Sequence, residues 1–348
     1  IPPRDHDMIG ATHGRSIWIL DDMKPLQQYA EARKTDAFLF DSRGAMQFNQ
    51  ANDRGFLGDK PFFGQNPAYG AAISFYLSKP QTNVALRIRD AAGTQVRELT
   101  GNALREARGA GINRVYWDLR HQPLPPLAGQ QGGGGGGGGG FGGGGNNGPN
   151  VMPGDYRVTL VVDGKDIATR TVRVSGDKDM QMTDAERKTW HDTALALHDL
   201  QRVANAAAEA VNTLATQLTA AESLLKSAAN APAAAKNAIG DANTKLADLR
   251  RRLGLNQQGG GGGGGGFGGQ QGNVRGQLGQ VKGQVMGSTS MPTQQQMRQA
   301  AELREDMTKV IADTNELINA IPALYDALGA SGAKPAALKP VRPIPPAR

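Results

Sequence analysis

The period of the apolar residues changes near Asp179, and this change limits the chain to a β-rich part followed by an α-rich part. Before it, short runs alternate apolar with polar residues, as in "NVALRIRD". A period of two is typical of a strand with one buried face. About six such runs between residues 67 and 179 predict a small antiparallel β-sandwich. The side chains predicted to line its interior are Val84, Leu86, Ile88, Trp117, Tyr156, Val158 and Leu160.

In the rest of the chain the apolar residues recur at intervals of three and four, which predicts amphipathic helices over 180–329. Thr183 and Thr293, each followed three residues later by Glu or Gln, match the capping box that begins a helix. Pro232 and Gly254 mark the beginning and the end of a helix between them. A short helix, weakened by glycine, is predicted in "NVRGQLGQVKGQVM". Helices with one apolar stripe must bury it, so we expect a helical bundle that the last helix covers.

Two polyglycine tracts interrupt this pattern. They lie in residues 130–149 and 257–272, and each contains a single phenylalanine, Phe141 or Phe267. Polyglycine loses more backbone entropy on ordering than other sequences do, and it has almost nothing to bury. Both tracts are therefore predicted to be flexible loops, one in the β-sandwich and one in the helical region.

The beginning and the end of the chain give separate predictions. The segment "ATHGRSIWILDD" at 11–22 predicts a β-hairpin, because a small polar turn separates two apolar runs. Two strands alone are marginally stable in water, so the hairpin must complete a larger sheet. Residues 23–66 predict an irregular connector with one short strand at "AFLF". Residues 330–348 predict a disordered tail rich in Pro, Lys and Arg.

Charge and composition argue against several classes of function. The 348 residues carry a formal net charge of +7, and more than half of this excess lies in the C-terminal tail. No basic face interleaved with aromatic residues occurs, which argues against nucleic-acid binding. The chain has no cysteine, so disulfides and thiolate metal sites are excluded. No apolar run reaches about eighteen residues, so no transmembrane segment is predicted.

The opening hairpin, the segments "DAAGTQVREL", "INRVYWDLR" and "VMPGDYRVTLVVDG", and the helical region together resemble a known arrangement. They are similar to the C-terminal region of bacterial BNR/Asp-box β-propeller proteins. This family is related to the sortilin propeller and is often labelled glycosyl hydrolases. The resemblance covers nearly the whole chain outside the glycine tracts. It implies the last strands of a β-propeller at 1–22, a connector at 23–66, an immunoglobulin-like β-sandwich at 67–179 and a helical bundle or hairpin at 180–329.

The resemblance also implies a function. The chain is expected to be a non-catalytic C-terminal module of an exported protein, periplasmic or extracellular. It would support its own propeller domain and mediate homo-oligomerisation or partner binding through the helices. The sequence begins with Ile1 rather than Met, so we expect a fragment or a processed product. The resemblance implies that the other propeller blades precede Ile1. The alternative is part of a glycoside hydrolase whose catalytic residues lie on those blades. No Asp-box occurs in the chain, and the arginine cluster and tyrosine nucleophile of sialidase-type propellers match no residues here.

Few residues are candidates for a ligand site. His13 and Arg15 lie in the predicted hairpin turn, where the rim of a propeller can face a ligand. The alternative is that Gly14 supplies the turn conformation and that Arg15 pairs with an acid such as Asp21. Polyglycine matches the dinucleotide-binding pattern trivially, but neither tract lies between a strand and a helix, so no cofactor is expected.

His191 and His198 lie seven residues apart, nearly on one face of a predicted helix. Zinc ligands on a helix usually lie closer together, at i and i+4, with a third ligand elsewhere. We therefore interpret both histidines as partly exposed polar residues and predict no metal site. No segment offers two carboxyl groups across one bond, so no catalytic residue is predicted.

Overall fold

The computed structural model describes residues 6–11, 13–14, 17–48, 68–126, 146–177, 180–227, 232–255, 273–288, 290–329 and 334–346. The chain divides into two compact units. One comprises residues 1–123 and 147–183 and is called the β-unit here; the other comprises residues 124–146 and 184–348 and is called the helical unit. The described residues form three sheets and six α-helices, so the chain is a mixed α and β protein.

The β-unit holds all the strands that the structure describes. They are β1 (Met8–Ala11), β2 (Ile17–Leu20), β3 (Ala37–Leu39), β4 (Ala45–Met46), β5 (Ala71–Leu77), β6 (Val84–Arg89), β7 (Gln95–Leu99), β8 (Gly111–Trp117), β9 (Gly154–Val162) and β10 (Lys165–Ser175). One sheet has the strand order β4-β10-β9-β6-β7, a second has the order β3-β5-β8, and β1 pairs with β2 alone. Neighbouring strands are antiparallel, except that β4 pairs with β10 in parallel.

The two larger sheets contribute side chains to one hydrophobic core. All seven side chains that the alternating pattern predicted for the interior are buried, so that prediction is confirmed. At the centre, the indole Nε1 of Trp117 donates to the carbonyl of Arg120 at 3.0 Å, and its ring lies edge-on against Tyr156. A tight turn joins β9 to β10, with positive φ angles at Asp163 and Gly164.

The connector is more regular than predicted. Its predicted strand forms as β3, but the helices α1 (Lys24–Gln27) and α2 (Tyr29–Ala32) and the strand β4 were missed. Each has two to four residues, which is too short for a detectable apolar period. The ring of Tyr29 packs edge-on against that of Tyr76 in β5, and Ala32 is fully buried. The part of the connector at 49–66 lies outside the described residues.

The helical unit contains four longer helices. They are α3 (Asp184–Ser227), α4 (Ala233–Arg252), α5 (Val274–Gly287) and α6 (Gln294–Ala327). Helix α6 contacts α3, α4 and α5. Most of the predicted apolar stripe is buried, but Met297, in the first turn of α6, is 46 % exposed.

The predicted helix boundaries agree with the structure to within a few residues. Thr293 caps α6 with a complete capping box: its Oγ1 accepts from the backbone of Gln296 at 3.2 Å, and the Gln296 side chain accepts from its backbone at 2.9 Å. Pro232 immediately precedes α4, and Gly254, with a φ of +69°, follows the C-cap residue Leu253. Helix α3 begins directly after Thr183.

Two predictions for low-complexity segments have different outcomes. The glycine tracts fall almost entirely on residues 127–145 and 256–272, which lie outside the described residues. The prediction of a disordered tail does not describe residues 334–346, which have no helix or strand but are hydrogen-bonded to α3 and α6. Val341 in this segment is buried, with only 7 % of its surface exposed.

Candidate functional site

The β1–β2 hairpin is apolar on both of its faces. Its register places Met8, Trp18 and Leu20 on one face and Ile9, Ile17 and Ile19 on the other. All six side chains are between 44 % and 68 % exposed. Scattered exposed apolar side chains are ordinary, but a contiguous apolar patch marks an interaction site. The hairpin is therefore a candidate interaction surface.

Hydrogen bonds fix the base of this hairpin to the rest of the β-unit. The backbone of Met23 donates to the carbonyl of His6 at 2.8 Å. Arg114, on β8, donates to the carbonyls of Asp21 and Asp22 at 3.4 Å each, and its Nε donates to Ser74 Oγ at 3.1 Å. The guanidinium therefore links the end of β2 to the β3-β5-β8 sheet. The base is held in place while both faces stay exposed.

Of the two residues predicted to face a ligand at the rim of a propeller, His13 and Arg15, the structure describes one. His13 is described and lies exposed in the hairpin turn, next to Gly14, whose φ is +75°. Gly14 therefore supplies the turn conformation, as one interpretation expected. Arg15 lies outside the described residues, so its predicted pairing with Asp21 stays a prediction.

A buried polar cluster lies between α3 and α5. Lys282 is 0 % exposed and His198 is 1 % exposed, and Lys282 Nζ lies 2.8 Å from His198 Nδ1 and 2.9 Å from Gln201 Oε1. The interpretation of His198 as a partly exposed residue of a helix face is therefore wrong. Its side chain faces α5 and is buried there against Lys282.

His191 has a different environment from His198. Its Nδ1 lies 3.2 Å from Asp192 Oδ1, and Lys188 also donates to the Asp192 carboxylate. Burial raises the pKa of this carboxyl, but the hydrogen bonds with Lys188 and His191 outweigh burial and hold the pKa below its ordinary value. These three side chains, all on α3, form a local group of ion pairs. Within the described ranges, no group of three or more His, Asp or Glu residues could hold a metal ion.

A polar groove of about 660 Å³ lies between α5 and the first turns of α6. Primary amides dominate its lining and carry no formal charge, although each offers two donors and an acceptor. The lining also includes the carboxylates of Glu302 and Asp306 and the hydroxyl of Thr293. The amide side chains are those of Gln277, Gln280, Gln284, Gln295, Gln296 and Gln299.

Sequence reasoning missed both the buried cluster and the groove, although each has a signal in the sequence. Lys282 follows Leu278 by four residues and therefore lies on the buried face of α5. The groove glutamines of α5 recur at intervals of three and four, which places them on one side of the helix.

Comparisons with known proteins identify no relative of the chain. No protein-family model matches the chain, and neither a curated protein nor a solved structure shows significant similarity to it. Over the part of the chain that the structure describes, no helix is both long and apolar enough to cross a bilayer.

Proposed function

We propose that the chain is a non-catalytic structural and interaction module, the C-terminal region of an exported BNR-propeller protein. In this proposal the β1–β2 hairpin completes the propeller, the two larger sheets form an immunoglobulin-like sandwich, and α3–α6 form a bundle that mediates assembly. The observation that carries the proposal is the exposure of both apolar faces of the hairpin.

A hairpin of this kind is poorly suited to stand alone. Two strands are marginal in water, and here Ile17, Trp18 and Ile19 expose 60 % to 68 % of their surface. An antiparallel strand pair with one solvated face alternates apolar with polar residues. Instead, β2 is apolar at all four positions. That composition suits a strand that is covered on both faces, as strands are when neighbouring sheets pack against each of their sides.

The attachment of the hairpin supports the same conclusion. Arg114 holds the carbonyls of Asp21 and Asp22, so the hairpin leaves the β-unit from a fixed point. A fixed base lowers the entropy that a docking hairpin loses when it binds. The partner to which we assign this surface is the propeller domain that the sequence resemblance implies.

The proposal is tested by determining the coding sequence before Ile1 and producing that region as a separate polypeptide. We expect Asp-box repeats there, and we expect the separate propeller to bind the 348-residue chain. Binding shifts the emission of exposed Trp18 to shorter wavelength, because the indole leaves water. The variants Trp18→Asp and Ile19→Asp place a charge on opposite faces of the hairpin, and each should weaken binding at least ten-fold.

A matched control is Ile112→Asp on β8, which is also exposed, at 39 %, but lies outside the hairpin. It should bind the propeller as tightly as the unmodified chain does. An upstream sequence without Asp-box repeats would contradict the proposal. So would a propeller whose binding is unaffected by both hairpin substitutions.

A further inference from the structure

Residues 334–346, here called the C-terminal strap, lie along the helical unit with one side buried. The strap contains five prolines and no helix or strand. Its buried and half-buried residues recur every three positions, and the residues between them are all exposed. A polyproline II helix has about three residues per turn, so one of its faces shows this period. The residues of the buried face are Pro335, Leu338, Val341 and Ile344.

The length of the strap agrees with the same conformation. Lys334 Nζ lies 2.6 Å from Asp326 Oδ1 near the end of α6, and Arg304, nearer its beginning, donates to the carbonyl of Pro345. These anchors on the helix are about 33 Å apart at 1.5 Å per residue. From Lys334 to Pro345, a polyproline II chain spans about 34 Å at 3.1 Å per residue. The strap therefore runs antiparallel to α6 in a nearly fully extended form.

One side chain of α6 recognises the strap backbone at its centre. The Asn315 amide accepts from the backbone N–H of Val341 at 2.7 Å and donates to its carbonyl at 3.1 Å. Proline has no N–H to donate, so this position requires another residue type. Two further contacts of the described strap backbone are made to carbonyls: Gln217 of α3 donates to Ala336 at 3.3 Å, and Arg304 donates to Pro345. The positions of the prolines are compatible with these hydrogen bonds.

We propose that the α3–α6 face beneath the strap is a binding groove for extended, proline-rich peptides, and that the chain's own tail is its resident ligand. The peptide that fits carries an apolar residue at every third position and a residue other than proline opposite Asn315. Because the tail is part of the same chain, its effective concentration is high, and it keeps the groove closed to similar peptides. This proposal concerns the helical unit alone and does not depend on the propeller.

The test uses a chain that ends at Gly329 and a fluorescent synthetic peptide with the sequence of residues 334–346. We expect the shortened chain to bind the peptide at least ten-fold more tightly than the intact chain, measured by fluorescence anisotropy. Val341→Pro in the peptide removes the donor to Asn315 and should abolish binding. A peptide in which Leu338 and Lys339 are exchanged keeps the composition but breaks the period, and it should bind at least ten-fold more weakly.

Substitutions in the groove complete the test. Asn315→Ala in the shortened chain should weaken binding at least ten-fold, whereas Asn319→Ala, at an exposed position of the same helix, should leave it unchanged. If removal of the tail lowers helicity by circular dichroism, a protease site placed after Gly329 allows the strap to be cut in the folded chain. Free peptide should then displace the cut strap.

Two results would overturn the proposal. One is a folded, shortened chain that binds the peptide no better than the intact chain does. The other is equal binding of the native and Val341→Pro peptides, which would show that the contact is non-specific adhesion to the helices.

Discussion

Lys282 Nζ lies 2.8 Å from His198 Nδ1, and both side chains are buried between α3 and α5. Lys282 Nζ also donates to Gln201 Oε1 at 2.9 Å. One buried side chain of α5 therefore contacts polar atoms of two residues of α3.

This arrangement predicts coupling between the two helices. We expect Lys282→Met to lower the free energy of unfolding of the helical unit by about 1–3 kcal/mol, because it removes the buried hydrogen bonds that Lys282 forms with His198 and Gln201. His198→Leu should cost a similar amount. The double variant should cost less than the sum of the two, by about 0.5–3 kcal/mol, in urea unfolding followed by circular dichroism.

The control for this comparison of single and double variants is Lys236→Met, since Lys236 is exposed on α4. It should change the free energy of unfolding by no more than about 0.5 kcal/mol. Strict additivity of Lys282→Met and His198→Leu would contradict the coupling.

The tryptophans of the β-unit allow a matched comparison of burial. Trp117 is fully buried and donates to Arg120, whereas Trp18 is 68 % exposed. Trp117→Ala should lower the free energy of unfolding by about 3–5 kcal/mol. Trp18→Ala should change it by no more than about 0.5 kcal/mol. Chemical denaturation of both variants checks the prediction, and a cost below about 1 kcal/mol for Trp117→Ala would show that the core tolerates its loss.

Alkaline pH should destabilise the β-unit through Tyr156. Burial, and then the charge of Asp90, raise the pKa of its hydroxyl above the ordinary value of 10.0, and the hydroxyl donates to the carbonyl of Met152 at 2.6 Å. In the unfolded chain this tyrosine ionises near its ordinary pKa, whereas in the folded chain it stays neutral. Its contribution is therefore fully present below about pH 10 and is lost as the pH rises further.

Urea unfolding at a series of pH values between about 8 and 11 measures this loss. The Tyr156→Phe variant should lose less stability over that range than the unmodified chain does. It should still lose some stability, because burial also raises the pKa of Tyr69. Tyr116→Phe, at a 43 % exposed position, should keep the original pH dependence. Identical pH profiles for Tyr156→Phe and the unmodified chain would contradict the assignment.

The elements predicted correctly from sequence are those whose two sides differ in chemistry. In β6, Leu86 is fully buried and Arg87 faces outward toward Glu98, so the alternation in the sequence corresponds directly to the fold. The long helices α3 and α6 were equally predictable, because their apolar stripes extend over many turns. Thr293 could be assigned as a cap because its capping partner lies only three residues away.

The features that were missed depend on contacts between distant residues or on an unusual period. The spacing of Lys282 from Leu278 places it on the buried face of α5, but only the packing of α5 on α3 brings it to His198. The strap was predicted to be disordered because proline and charge dominate it. Its three-residue period, from Pro335 to Ile344, is neither that of a helix nor that of a strand.

Shortening the first glycine tract should have little effect on stability. The chain on either side of it is already paired: His121 donates to the carbonyl of Pro149 at 2.8 Å, and Val151 donates to that of Leu119 at 2.9 Å. Replacing 132–145 by four residues changes mainly the closure entropy, which is about 0.6 kcal/mol per halving of loop length. We expect the melting temperature to shift by no more than about 4 °C in calorimetry. A larger loss would show that the tract itself packs against the protein.

The purified chain should hydrolyse no glycoside. Hydrolysis of a glycosidic bond usually needs two carboxyl groups about 5–10 Å apart on opposite sides of that bond. The acids that line the polar groove, Glu302 and Asp306, lie one turn apart on α6, so both approach a ligand from the same wall. With a panel of aryl glycosides we expect release rates equal to those in buffer. Activity that survives repurification and falls at least 100-fold in Glu302→Gln, but not in Glu305→Gln at the exposed neighbouring position, would contradict this prediction and favour a hydrolase.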